Sequence, residues 1–224
     1  MDKIKNRKDK IVELSLLTII LIISFILWDT YFVYPIKLSV VLMHEVSHAL
    51  ATLLTGGRIL AMNIGMDLSG SCQSEGGNTI AIASSGYLGS LIFGILFFLS
   101  PNRIKIGKWI IISLTIIIFL VSAIASKEIP FILMVGFFSL LVILAANYMS
   151  IPIITILIRS FGLISCVYVL FDIKEDLLEK HIVINDVSLL GSLTGIPGIV
   201  YGIVWMVLSL LIIILAVKLS YGNK

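Results

Sequence analysis

Val40–Gly57, VVLMHEVSHALATLLTGG, has the length and apolar content of a membrane-crossing helix, yet it carries two histidines and a glutamate within five consecutive positions. An ionisable group at the bilayer centre costs about 2.5 to 3.5 kcal/mol on insertion scales, so such residues persist where they line a cavity, pair with one another or bind an ion. With about 3.6 residues per helical turn, His44 and His48 stack on one face, and both imidazoles reach a single cation with Glu45 beside them. HExxH is the spacing in which two neutral imidazoles hold Zn²⁺ while the glutamate, itself not a ligand, serves as general base. All three fixed positions are present.

The surrounding chain is that of an integral membrane protein. Its 224 residues are 59% hydrophobic and 13% charged, and its mean hydropathy of +1.13 excludes a water-soluble domain. Apolar runs of spanning length occur at Ile11–Trp28, Ile36–Leu54, Thr79–Leu99, Trp109–Ala125, Pro130–Tyr148, Ile151–Phe171 and Gly198–Val217. The fifth and sixth are parted only by MSIP, so the expectation is an all-α polytopic protein with about six or seven transmembrane helices and a zinc site inside the bundle. No linker or repeat divides the chain, and 1–224 reads as one membrane domain.

The first ten residues, MDKIKNRKDK, hold five of the sixteen Lys and Arg and precede a run without a signal-peptidase pattern, so they read as the basic cytoplasmic end of a retained anchor. Strict alternation of seven spans would put nine Lys and Arg on that side and six opposite, and would bring residues 56–79 and 172–195 to one face. The charge of +3 reads as membrane attraction and topology, not nucleic-acid binding. Residues 56–79, with clustered glycines and the alternation RILAMNIGM, read as a hairpin-like loop at the membrane surface. Cys72 and Cys166 lack metal-ligand spacing and read as small semi-apolar residues.

Catalytic zinc sites use three protein ligands. The remaining histidine, His181, lies in a loop, so carboxylates are the candidates. Asp172, in YVLFDIKEDLL at the end of the helix over 151–178, reaches the same membrane side as the end of the 36–54 HExxH helix, with Asp176 one turn on. Both also suit a solvated helix end paired with Lys174 and Lys180. Asp186, in INDVSLL, reads most simply as an N-cap. Gly86, Ser90 and Gly94 in ASSGYLGSLIFG have the small-residue spacing of close membrane-helix packing.

MHEVSHALATLLTGGRI, ASSGYLGSLIFG, LIRSFGLISCVYVLFDIKEDLL and NDVSLLGSLTGIPGIVYGIVW together resemble the membrane-embedded zinc metallopeptidases related to the site-2 proteases, in a compact bacterial branch without a PDZ domain. The resemblance covers about Leu38 to Trp205. It implies regulated intramembrane proteolysis of transmembrane or membrane-proximal segments in a bacterial cytoplasmic membrane, with a membrane-protein or peptide substrate and the lipid bilayer as partners. It also implies Zn²⁺ on His44, His48 and an aspartate of a later helix, and Glu45 as the base. The LDG motif that carries the later ligand in better-studied relatives is missing here, which makes Asp172 the first choice, ahead of Asp176 and Asp186. The rival readings are an ion or metal transporter, which would spread ionisable residues along several spans, and an inactive client-binding homologue, which would not need Glu45.

Overall fold

The computed structural model describes residues 7–28, 30–102, 104–178 and 185–222. Its elements are α1 (Arg7–Ile26), α2 (Tyr34–Leu54), β1 (Arg58–Ile64), β2 (Gly70–Glu75), α3 (Thr79–Leu99), α4 (Ile104–Ala125), α5 (Ile129–Tyr148), α6 (Ile151–Leu178), α7 (Asp186–Thr194) and α8 (Gly198–Tyr221). Six of the helices, α2 to α6 and α8, have the length and apolarity to cross a membrane. The fold is all-α and polytopic, and the chain is a membrane protein.

Prolines fixed near the starts of α2 and α5 fit the first helical turn, where a missing N–H costs nothing. Asn78 caps α3 by accepting from the Ala81 N–H. α3 is the central helix, packed on both α2 and α6. Its crossing with α6 is so close that a Cβ on Gly162 would stand 2.5 Å from the Gly94 oxygen and from the Phe98 nitrogen. Small residues at both positions are what permit backbone contact.

Pairings fix the helix directions. Thr55 meets Asn78, and His48 meets Ile82, so α2 and α3 are antiparallel. Cys166 Sγ meets the Leu91 oxygen while Gly162 meets Phe98, so α3 and α6 are antiparallel as well. α1, however, runs with α6: Glu13 pairs with Arg159 at 2.8 Å, and Phe25 stacks at 5.1 Å on Phe171. Consecutive helices α1 and α2 therefore point the same way. This departs from the alternating seven-span order that apolar run lengths suggest. Asp9, Lys10 and Glu13 occupy the first two turns of α1, and its buried Glu13 is held by the Arg159 of α6.

Between α2 and α3 the chain forms an antiparallel hairpin, with Arg58 opposite Glu75 and Ile64 opposite Gly70, and a bulge near Leu60. Met62 is fully buried against the core, Ile59, Ile64 and Cys72 are partly so, and the Tyr34 hydroxyl donates to the Met66 oxygen at the tip. The hairpin thus folds back along α2 instead of extending into solvent. A mainly apolar cavity of about 370 Å³ lies between α2, α4, α5 and α6, with Met43, Ile64, Phe97 and Ile158 in its lining.

Candidate metal centre

His44 and His48 project from the middle of α2 toward α3, with ring centroids 4.7 Å apart. Their neighbours orient the rings. His48 Nδ1 lies 2.7 Å from the Ile82 oxygen, which can only accept, so Nδ1 carries the proton. His44 Nδ1 faces Asp172 Oδ2 at 3.5 Å, and the Tyr87 ring packs edge-on against the imidazole at 5.0 Å. Trp205 of α8 backs Tyr87.

Both Nε2 atoms then turn to one oxygen. Asp186 Oδ2 is 3.1 Å from His44 Nε2 and 3.1 Å from His48 Nε2. The three ligand atoms lie within 4.8 Å of one another, and this is the group of such side chains placed to hold a metal among the described residues. The chemistry of the donor set fits a cation. A neutral His48 protonated at Nδ1 presents a bare lone pair to a carboxylate oxygen, which is repulsive unless a positive charge lies between them or the ring takes a second proton. Gly86 leaves the room: a Cβ there would overlap His44 Nε2 and stand 2.6 Å from His48 Nε2.

Asp186 is held below its ordinary range: burial pushes it up, but the imidazoles of His44 and His48 packed against its Oδ2 outweigh burial and carry it down to about 2. It remains a carboxylate at neutral pH. Glu45, buried at 6% exposure, lies beside the two histidines, under the first residue of β2. A Cβ on Gly70 would overlap Glu45 Oε1. Cys72, two residues along the strand, has its thiol pushed up to about 12 by burial and by the negative charge of Glu45 and Asp186.

The geometry reorders the aspartates. Asp172 does not join the Nε2 cluster; it faces the opposite ring nitrogen of His44. Asp186 joins instead, and it is not the cap of α7. Asn185 takes that role, its side chain accepting from the Ser188 N–H at 2.8 Å while Ser188 Oγ accepts from the Asn185 N–H. Asp186, at the first helical position, is left to point inward, where the helix dipole favours an anion. The side chain of Asp176 and all of His181 lie outside the described residues. Tyr87, Gly70 and the Ile82 carbonyl carry no sequence pattern of their own. Gly86 stood out for its spacing, and its closeness to the imidazoles is additional.

The family described as Peptidase M50B-like matches residues 17–216, which include every residue of this centre. No curated protein and no solved structure matches the chain.

Proposed function

The chain belongs to the Peptidase M50B-like family, and from that premise we propose that it is an intramembrane zinc metalloprotease hydrolysing peptide bonds in or near membrane-spanning segments of other proteins. The observation that carries the reading is the convergence of His44 Nε2, His48 Nε2 and Asp186 Oδ2, with His48 Nδ1 bonded to the Ile82 oxygen and His44 Nδ1 3.5 Å from Asp172 Oδ2.

His44, His48 and Asp186 would hold the metal, and Asp172 would orient His44 from behind, an arrangement that fixes the tautomer of a liganding imidazole. Zinc, when bound, supplies Lewis acidity toward a substrate carbonyl and acidifies water. Glu45 does the proton work. Its carboxylate takes a proton from the attacking water as the water oxygen joins the carbonyl carbon, then delivers it to the amide nitrogen as the C–N bond breaks. Burial under Gly70 keeps bulk water from competing for it.

A substrate helix must unwind locally before its carbonyl is accessible, because helical backbone groups are bonded internally. The hairpin suits an unwound segment: an extended strand laid along β2 would pass the Glu45 carboxylate, with main-chain hydrogen bonds holding it. Replacing residues 58–75 with a flexible linker should abolish cleavage; unchanged cleavage would remove the hairpin from the reading. We place the chain in a bacterial cytoplasmic membrane with the basic amino end in the cytoplasm.

The test is metal content and cleavage of a transmembrane substrate, measured together on detergent-purified protein. Glu45→Gln should keep about one zinc per chain and lose cleavage by about 10²- to 10⁴-fold. Folded wild-type protein without zinc would overturn the reading.

A further inference from the structure

The two imidazoles that face the metal position are held in different ways. His48 Nδ1 is bonded to the Ile82 oxygen at 2.7 Å, which fixes its ring. His44 has no such anchor: its Nδ1 is buried and makes no hydrogen bond among the described residues, and Asp172 Oδ2, at 3.5 Å, lies beyond good hydrogen-bond distance. The charge of Asp172 attracts that side of the ring, but the outer torsion of a histidine side chain is broad, so attraction alone lets the ring rock. Packing is what confines it. The Tyr87 ring stands at 87° to the His44 imidazole with centroids 5.0 Å apart, one of the arrangements that aromatic pairs favour.

Tyr87 is itself fully buried and backed. Trp205 of α8 lies against it at 5.0 Å, and Tyr201, one turn earlier on α8, stands 6.0 Å from Trp205. The Tyr201 hydroxyl donates to the Thr194 hydroxyl at the end of α7, at 2.9 Å. α7 begins at Asp186, whose Oδ2 meets both Nε2 atoms. These contacts close a circuit, from His44 through Tyr87, Trp205, Tyr201 and Thr194, along α7 to Asp186 and back to His44. The apolar packing follows the same plan. Val169 and Ile173, which flank Asp172 in α6, and Val187 and Leu190, which follow Asp186 in α7, are buried in one cluster with Tyr87 and Trp205. Among the described residues α2 contributes none of that cluster's buried side chains. Tyr87 carries its contact to His44.

We propose that Tyr87 is a positioning residue of the metal centre: its ring sets the rotation of the His44 imidazole and keeps α2 in register with the carboxylate-bearing helices α6 and α7. The role rests on the peptidase reading above, which supplies the metal to be positioned. Tyr87 acts through His44 Nε2, so what it governs is the direction in which that lone pair points. Functional constellations work within about 0.5 Å and 10–20° of the productive geometry, and a ring free to rock exceeds that range with every ligand atom still present.

Cobalt(II) titration of metal-stripped, detergent-purified protein reads the geometry, because cobalt's visible absorption responds to the arrangement of its ligands, and competition against it gives the zinc affinity. Tyr87→Leu removes the ring; the cobalt bands should shift and zinc affinity should fall about 2- to 10-fold, the range of one aromatic pair. Tyr87→Phe keeps the ring and should restore both. Trp205→Leu withdraws the support behind Tyr87 and should shift the bands in the same direction, and it stands in if Tyr87→Leu does not fold. Phe97→Leu removes another buried ring of α3, 5.3 Å from Phe161, and should lower the unfolding temperature without moving the bands. Unchanged bands and affinity in folded Tyr87→Leu or Trp205→Leu would overturn the proposal and leave the peptidase reading standing. Bands as disturbed in Tyr87→Phe as in Tyr87→Leu would overturn the role of the ring in favour of the hydroxyl. An equal shift in Phe97→Leu would reduce Tyr87 to packing. Folded wild-type protein that takes up neither cobalt nor zinc would overturn the peptidase reading and this proposal with it.

Discussion

Gly70 and Glu45 are in backbone-to-carboxylate contact: a methyl group at position 70 would overlap Oε1 and stand 2.9 Å from Cδ and 3.0 Å from Cγ. Only glycine lets β2 cross α2 at this height. Gly70→Ala should push the Glu45 carboxylate aside, and a displacement of about 1 Å at a reacting group costs on the order of 10²-fold in rate. Metal content should be unchanged, since Glu45 is not among the converging ligands. Parallel zinc analysis and cleavage assays would check this; full activity in Gly70→Ala would move the proton acceptor elsewhere.

The two aspartates near His44 should separate by experiment. Asp186→Ala removes one of three converging ligand atoms and should leave the purified protein without stoichiometric zinc. Asp172→Asn removes only the charge behind His44 and should weaken zinc binding by about 10- to 100-fold. Competition with a chelator of known affinity would measure both. The opposite order of severity would make Asp172 the ligand.

Glu13 and Arg159 are each almost fully buried, at 4% and 3% exposure. Breaking such a pair from one side leaves an uncompensated charge, at a cost of about 3 to 5 kcal/mol. Glu13→Leu should therefore lower the unfolding temperature in detergent markedly. Glu13→Leu combined with Arg159→Met should recover much of the loss. A double variant no better than the single one would show that Asn102 and Tyr221 already satisfy the guanidinium.

The raised thiol pKa of Cys72 gives a pH prediction. A thiol held at about 12 stays protonated throughout the range where a free cysteine, near pKa 8.5, becomes a thiolate. Iodoacetamide labelling of Cys72 in the folded protein should stay negligible from pH 7 to pH 10 and become rapid after denaturation. A labelling inflection near pH 8.5 in folded protein would show Cys72 solvated and distant from Glu45 and Asp186.

Local chemistry was legible in the sequence and long-range pairing was not. HEVSH lies on one helical turn, so its geometry follows from spacing alone, and the six spans that meet the length criterion coincide with apolar runs. The third carboxylate sits 142 residues from His44, where spacing carries no information, and Asp172 outranked Asp186 because INDVS has a complete local explanation as a helix start. Run length also says nothing of direction. That α1 accompanies α2 depends on Glu13 meeting Arg159 across the bundle, a contact between one acid among thirteen acidic residues and one base among sixteen.

Asn185 and Asp186 are both good capping residues, and they stand side by side at a helix start with one vacancy. Asn185 fills it, and Asp186 is thereby free for the histidines. An Asn185→Ala substitution would open that post to its neighbour, and the carboxylate could be recruited away from the imidazoles by two backbone N–H groups. The expected result is a loss of zinc affinity from a residue that touches no ligand, with Asn185→Ser, a capable cap, restoring it. In such a chain the occupancy of the metal centre is governed by a rivalry between adjacent side chains.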